Sequence, residues 1–170
     1  MRIKLNAANR HLNLFNVVCL AMVLFALSLA SALAADDASQ PMITEDEASQ
    51  IIIDTLVKNL SESSDLEMGL RVNRYPDLLQ AGAQVREASP DEIDPSKILL
   101  CQNASWLFFL DLAPGAHFAH SVIIAVVDSV SGEIQSMDGQ WWPVIMQPAF
   151  ENETARRDEE TIIFEKEPNL

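Results

Sequence analysis

Basic residues are scarce in this chain: 11 stand against 25 acidic ones among 170, a formal net charge of −14. Three of the 11, Arg2, Lys4 and Arg10, fall in the first 34 residues, which carry no acid, so the remainder has a net charge of −17. Nucleic acid and anionic lipid surfaces repel so acidic a chain, and no basic stripe offers either of them a foothold. Cysteine is scarcer still. Of the two present, Cys19 lies in the N-terminal apolar region and Cys101 stands alone after it. Once that region is removed no intramolecular disulfide can form, and the fold must rest on its core. There is no Gly-rich phosphate loop and no nucleophile elbow among the five glycines. The acidic cluster Asp91, Glu92 and Asp94 lacks the alternate spacing and central glycine of an EF-hand calcium loop. No internal repeat is seen.

What is present begins with an export signal. Residues 1–34 combine a basic start, an apolar run from about Leu14 to Leu29, and Ala32-Leu33-Ala34 at the positions that a signal peptidase reads. Membrane contact is expected through this segment alone, before cleavage, and the mature chain is expected in the periplasm or outside the cell. An uncleaved anchor is the alternative, and the apolar stretch is barely long enough for it. Residues 35–43 read as a flexible mature N-terminus, 44–149 as a single domain, and 150–170 as a polar C-terminal tail in which Thr161 to Phe164 can add a strand.

The domain reads as α+β: one N-terminal amphipathic helix packed on a small antiparallel sheet of four to five strands. Thr44 and Glu47 have the spacing of a capping box. Apolar positions at Ala48, Ile51, Ile52, Thr55, Leu56 and Leu60 then put one face of a helix over 45–60 toward a core. Short extended segments follow at 66–73 and 78–87. The sheet core is expected in 106–144, with a Gly132 turn and a second turn signal at Asp138-Gly139; Pro143 marks an edge strand or a departure from the sheet. Neither Trp106-Leu107-Phe108-Phe109-Leu110 nor Val122-Ile123-Ile124-Ala125-Val126-Val127 alternates apolar with polar residues. Both strands therefore look buried on both faces. A single helix covers one face. The other needs the 66–87 segment, the C-terminal tail or another protein.

Candidate chemistry is thin. His117 and His120 form the one histidine pair, and with Cys101 and Asp111 they are the available ligands for a metal or the parts of a thiol site. Cys101 sits at a strand start in an acidic chain, which opposes thiolate formation. We expect no metal, no cofactor and no catalytic set. Trp106, His117, Phe118, His120, Trp141 and Trp142 make the candidate interaction surface, with core and edge packing as the plainer alternative for the aromatics.

From Val122 to Ile134 the sequence runs apolar strand, Asp128, two residues, Ser131-Gly132-Glu133-Ile134. This resembles the strand-turn-strand core of PepSY-type domains, closely over about a dozen residues and loosely over perhaps 90, although the His117–His120 loop and the Trp141-Trp142-Pro143-Val144 ending are not part of that pattern. The resemblance implies a helix on an antiparallel sheet, no catalytic residues, and an inhibitory or assembly role beside exported peptidases. The expectation is thus a non-catalytic exported accessory domain that binds a protein or peptide, a peptidase among the candidates, by strand addition beside 141–146 or through an apolar sheet face. A small Cys/His-dependent or metal-dependent hydrolase and a self-associating envelope protein, in which a homodimer buries the second sheet face, stay open as alternatives. If the signal reading is right, mass spectrometry of the exported protein finds Ala35 at its N-terminus; an intact Met1 would mean an anchor instead.

Overall fold

A computed structural model describes residues 43–62, 68–89 and 95–168. The expected signal, residues 35–42 and the acidic cluster at 91–94 lie outside the described residues.

The helix opens as its cap predicts. Thr44 Oγ1 accepts the Glu47 backbone N–H at 3.3 Å, and Glu47 Oε2 accepts the Thr44 N–H at 2.8 Å. Bonding to the Thr44 backbone, then to its hydroxyl, holds the Glu47 carboxyl below the usual range. Helix α1 spans Glu45–Ile52, passes through a π-helical stretch, Ile53–Val57, and ends in Lys58–Glu62. It starts well inside the chain and is not an N-terminal element. The π stretch also moves the apolar face. Ala48 and Ile52 are buried four residues apart, but the next buried position is Val57, five further on. Thr55, expected on the apolar face, is exposed and donates its hydroxyl to the Ile51 carbonyl at 2.5 Å. A π turn takes an extra residue, so strict 3.6-residue spacing misplaces whatever follows it.

Among the described residues, eight strands form two antiparallel sheets: β1 Leu70–Arg74, β2 Gln84–Glu87, β3 Ile98–Leu100, β4 Ser105–Asp111, β5 Val122–Asp128, β6 Ile134–Gly139, β7 Pro143–Val144 and β8 Ile162–Lys166. The larger sheet has the order β6-β5-β4-β1-β8 and the smaller β3-β2-β7. The expected hairpins are there: β4 pairs with β5, and β5 with β6. Asp128 organises the second turn. Its Oδ1 accepts the Val130 and Ser131 N–H groups at 2.8 and 2.9 Å, and Gly132 takes a φ of 74°, a left-handed conformation that glycine adopts without steric cost. Burial pushes the Asp128 carboxyl upward, but the bonds from Ser131, Asn103 and Val130 outweigh it and hold the group low.

All seven residues of β4 are buried. Trp106, Phe108 and Leu110 face α1 together with Leu70, Val72, Ala125 and Val127. Leu107 and Phe109 face the other way, against Val85, Leu99, Cys101 and Phe150. The second face is therefore covered within the chain, by the small sheet and the segment after β7. Two of the expected covers thus contribute: the 66–87 segment through Leu79 and Val85, and the C-terminal segment through Phe150, while the first part of 66–87 forms β1, which lies inside the large sheet between β4 and β8. One expectation needs correction. The segment expected as a polar tail is part of the fold. Phe150 is buried and stacks on Phe109, centroids 5.8 Å apart, while β8 pairs with β1. The apolar triplet of β8 was visible in the sequence, but a partner 90 residues away was not.

Phe108 and Phe109 are adjacent and face opposite layers. Truncating either to alanine is expected to cost about 3–5 kcal/mol in urea denaturation, the range for emptying a large buried aromatic. A sheet with one wet face would tolerate one of the two.

Candidate functional site

The larger sheet ends where the chain crosses to the smaller one, and the crossing builds a cleft. After Gly139, the Glu87 Oε1 atom on β2 accepts the Gln140 and Trp141 N–H groups at 2.6 and 3.2 Å. The Ala88 N–H then donates to the Trp142 carbonyl at 2.9 Å, and Pro143 enters β7 opposite Glu87. Pro143 thus marks a departure from the large sheet, one of its two expected roles. Three successive backbone groups are clamped, so the two indoles are held in place, edge to face with centroids 5.5 Å apart. A Cβ at Gly139 would come within 3.1 Å of the Glu87 carboxylate, which explains glycine at the exit.

Opposite the tryptophans lies the loop between β4 and β5. Its position is set by Asp111, at the end of β4 and only 1% exposed. Asp111 Oδ1 accepts the Ala113 N–H at 3.0 Å and meets His120 Nε2 at 2.8 Å. The other ring nitrogen, His120 Nδ1, lies 2.7 Å from the Phe118 carbonyl. Both ring nitrogens therefore face acceptor oxygens.

Between loop and tryptophans is a cleft of about 240 Å³, lined by Phe109, Ala116, His117, Phe118, His120, Val122, Gln140, Trp141, Trp142 and Arg156. Arg156 arrives from the short helix Glu153–Arg156, capped by Asn152 Oδ1 on the Ala155 N–H at 3.0 Å. Asn73 on β1 seats that helix by donating to the Arg156 carbonyl at 3.0 Å and to Thr161 Oγ1 at 2.9 Å. Arg156 Nη1 thereby lies 3.9 Å from Asp111 Oδ2. Arg71, the cross-strand neighbour of Asp111, is occupied elsewhere, by Glu165 at 2.7 Å and Glu153 at 3.6 Å.

Five of the six candidate residues, His117, Phe118, His120, Trp141 and Trp142, line this one cleft. Trp106 does not belong with them. It is buried on the helix side, where its Nε1 donates to the Ile43 carbonyl at 3.0 Å. Nothing in the local sequence separates it from the other two tryptophans; which face of β4 it occupies follows from the strand's register. Arg156 was missed because its segment reads as a solvated tail.

The alternative chemistry finds little support. Cys101 lies in the core among Leu79, Val85 and Leu107, and burial pushes its thiol upward, with a smaller opposing contribution from Ser105. Among the described residues, no group of three or more His, Cys, Asp or Glu side chains is placed to hold a metal ion. The cleft lining carries no Ser, Thr or Cys. No protein-family model, curated protein or solved structure matches the chain.

His120 and Asp111 are coupled in a nearly dry site. His120→Ala leaves a buried carboxylate short of its partner and is expected to destabilise the protein by about 3 kcal/mol. Adding Asp111→Asn should recover part of that loss in equilibrium denaturation. If the double variant is as unstable as the sum of the two singles, the pair is not coupled.

Proposed function

We propose that this chain is an exported, non-catalytic binding domain whose cleft between the 116–120 loop and Trp141–Trp142 engages a protein or peptide partner. The observation that carries the reading is the convergence of two segments, remote in sequence, on one aromatic-walled cleft with an exposed aromatic at its rim: Phe118 is 70% accessible. Exposed aromatics beside a concave, partly polar site are the usual anchors of a recognition surface.

Several features support this reading over its rivals. Both nitrogens of His120 are committed to acceptors, and the lone described cysteine is in the core. A thiol hydrolase would have its nucleophile, Cys101, buried in the core. Self-association lost its motive when the second sheet face proved to be covered within the chain. Docking through an apolar sheet face loses it for the same reason. The PepSY-like hairpin, present as β5–Asp128–β6, suggests an exported peptidase as the partner class. Export itself is supported by the N-terminal signal pattern. No helix among the described residues is long and apolar enough to cross a membrane.

A photo-crosslinking amino acid placed at Phe118 in the native host is expected to trap a discrete partner. The same group at Lys58, exposed on the helix, should not. The adduct should disappear when Trp141→Ala is added. Crosslinks of equal yield from both positions would sink the proposal.

A further inference from the structure

We infer that the cleft receives the C-terminal residue of a peptide, with its carboxylate set against Arg156 and His120 and its apolar side chain between Phe118, Trp141 and Trp142. This rests on the reading of the cleft as a binding site and names the chemistry of its ligand.

The charge of the cleft runs against that of the molecule. The chain has more than twice as many acidic as basic residues, yet no carboxylate lines this cleft. Behind the lining stands one buried acid, Asp111: Arg156 Nη1 is 3.9 Å from its Oδ2 and His120 Nε2 is 2.8 Å from its Oδ1. The ionisable side chains of the lining itself, His117, His120 and Arg156, are all basic types. The nearby Arg71 is held by Glu165 and Glu153. Hydrogen-bonding capacity is biased the same way. Two lining side chains hold an enclosed N–H without an acceptor, Arg156 Nε and Trp142 Nε1, whereas the unpartnered acceptors near Arg156, Asp111 Oδ2 and Asn73 Oδ1, belong to residues behind the lining. Enclosed donors without acceptors are costly, which favours an acceptor as occupant.

Size and rim identify the carboxylate's carrier. A space of about 240 Å³ is smaller than the roughly 300–1,000 Å³ of ordinary small-molecule pockets, and fits one residue. Around it, Phe118, His117 and Gln140 are exposed, and they offer contacts that a free acid confined to the cleft cannot reach. Residues preceding a chain end can use them.

Fluorescein-labelled tetrapeptides ending in Phe, Leu or Val, each as free acid and as C-terminal amide, test this by fluorescence polarisation on the purified protein. At least one free acid is expected to bind tenfold or more tighter than its amide. Arg156→Gln should abolish that difference, and Phe118→Ser, at an exposed position that the fold does not need, should weaken the free acid about tenfold. Acid and amide binding alike, or a preference unaffected by Arg156→Gln, overturns the inference. Competition by N-acetyl-phenylalanine at concentrations equal to the peptide's also overturns it, in favour of free acids. If no peptide binds while Phe118 still crosslinks a partner, the carboxylate assignment fails and the binding reading stands. If neither occurs, both fail.

Discussion

A strand with no wet side must be covered on two sides, and β4 is such a strand. Its neighbours β1 and β5 satisfy its backbone, while its side chains alternate between two apolar layers. One layer is α1 with Leu70, Val72 and Val127. The other is a small sheet that would be marginal by itself, since three short strands bury little. It persists because Val85, Leu99 and Phe150 gain a dry surface from Leu107, Phe109 and Ile124. Phe150 even adopts a φ of 60°, a left-handed conformation uncommon for a bulky residue, and its stacking on Phe109 and edge contact with Tyr75 hold it there.

The second layer stops short of one corner of the large sheet, and that corner is polar. Arg71 and Asn73 on β1, Asp111 on β4 and Glu165 on β8 occupy it, roofed by Glu153 and Arg156 of the short helix. Burying so many charged groups costs free energy unless each finds a partner. Most do, through Arg71–Glu165, Arg71–Glu153 and His120–Asp111. The cleft lies where apolar cover gives way to this network, which is why it has aromatic walls and a charged floor. Its electrostatics follow from the fold: β4 ends on an acid, and the chain returns 45 residues later with an arginine beside it.

The reading of the molecule as a binding domain and the assignment of a chain end as ligand both draw on that corner. They differ in what they require. Recognition of a partner needs the aromatic walls and the exposed Phe118, whereas selection of a carboxylate needs the basic side chains Arg156 and His120 and the unpartnered N–H groups beside them. The sequence resemblance to PepSY-type domains is confined to the β5–Asp128–β6 hairpin. Apart from Val122, the small sheet and the cleft lining lie outside the dozen residues that carry this resemblance.

Much of the local structure was legible in the residues. The Thr44–Glu47 cap, the Asp128–Gly132 turn, the three successive strands of 106–144, the departure at Pro143 and the two-faced burial of β4 and β5 are short-range patterns, decided by propensity, hydrogen bonding and the period of apolar positions. Of the six candidate surface residues chosen from sequence, five line one cleft, since aromatic and histidine side chains beside a strand end stand out. The tertiary structure alone decided what covers the second face, that β8 closes the sheet on β1, that Trp106 lies under the helix, and that Arg156 meets Asp111. Each of these is a contact between segments far apart in the chain, fixed by register and by competition for dry surface. A side chain's own neighbours in sequence carry no record of that competition.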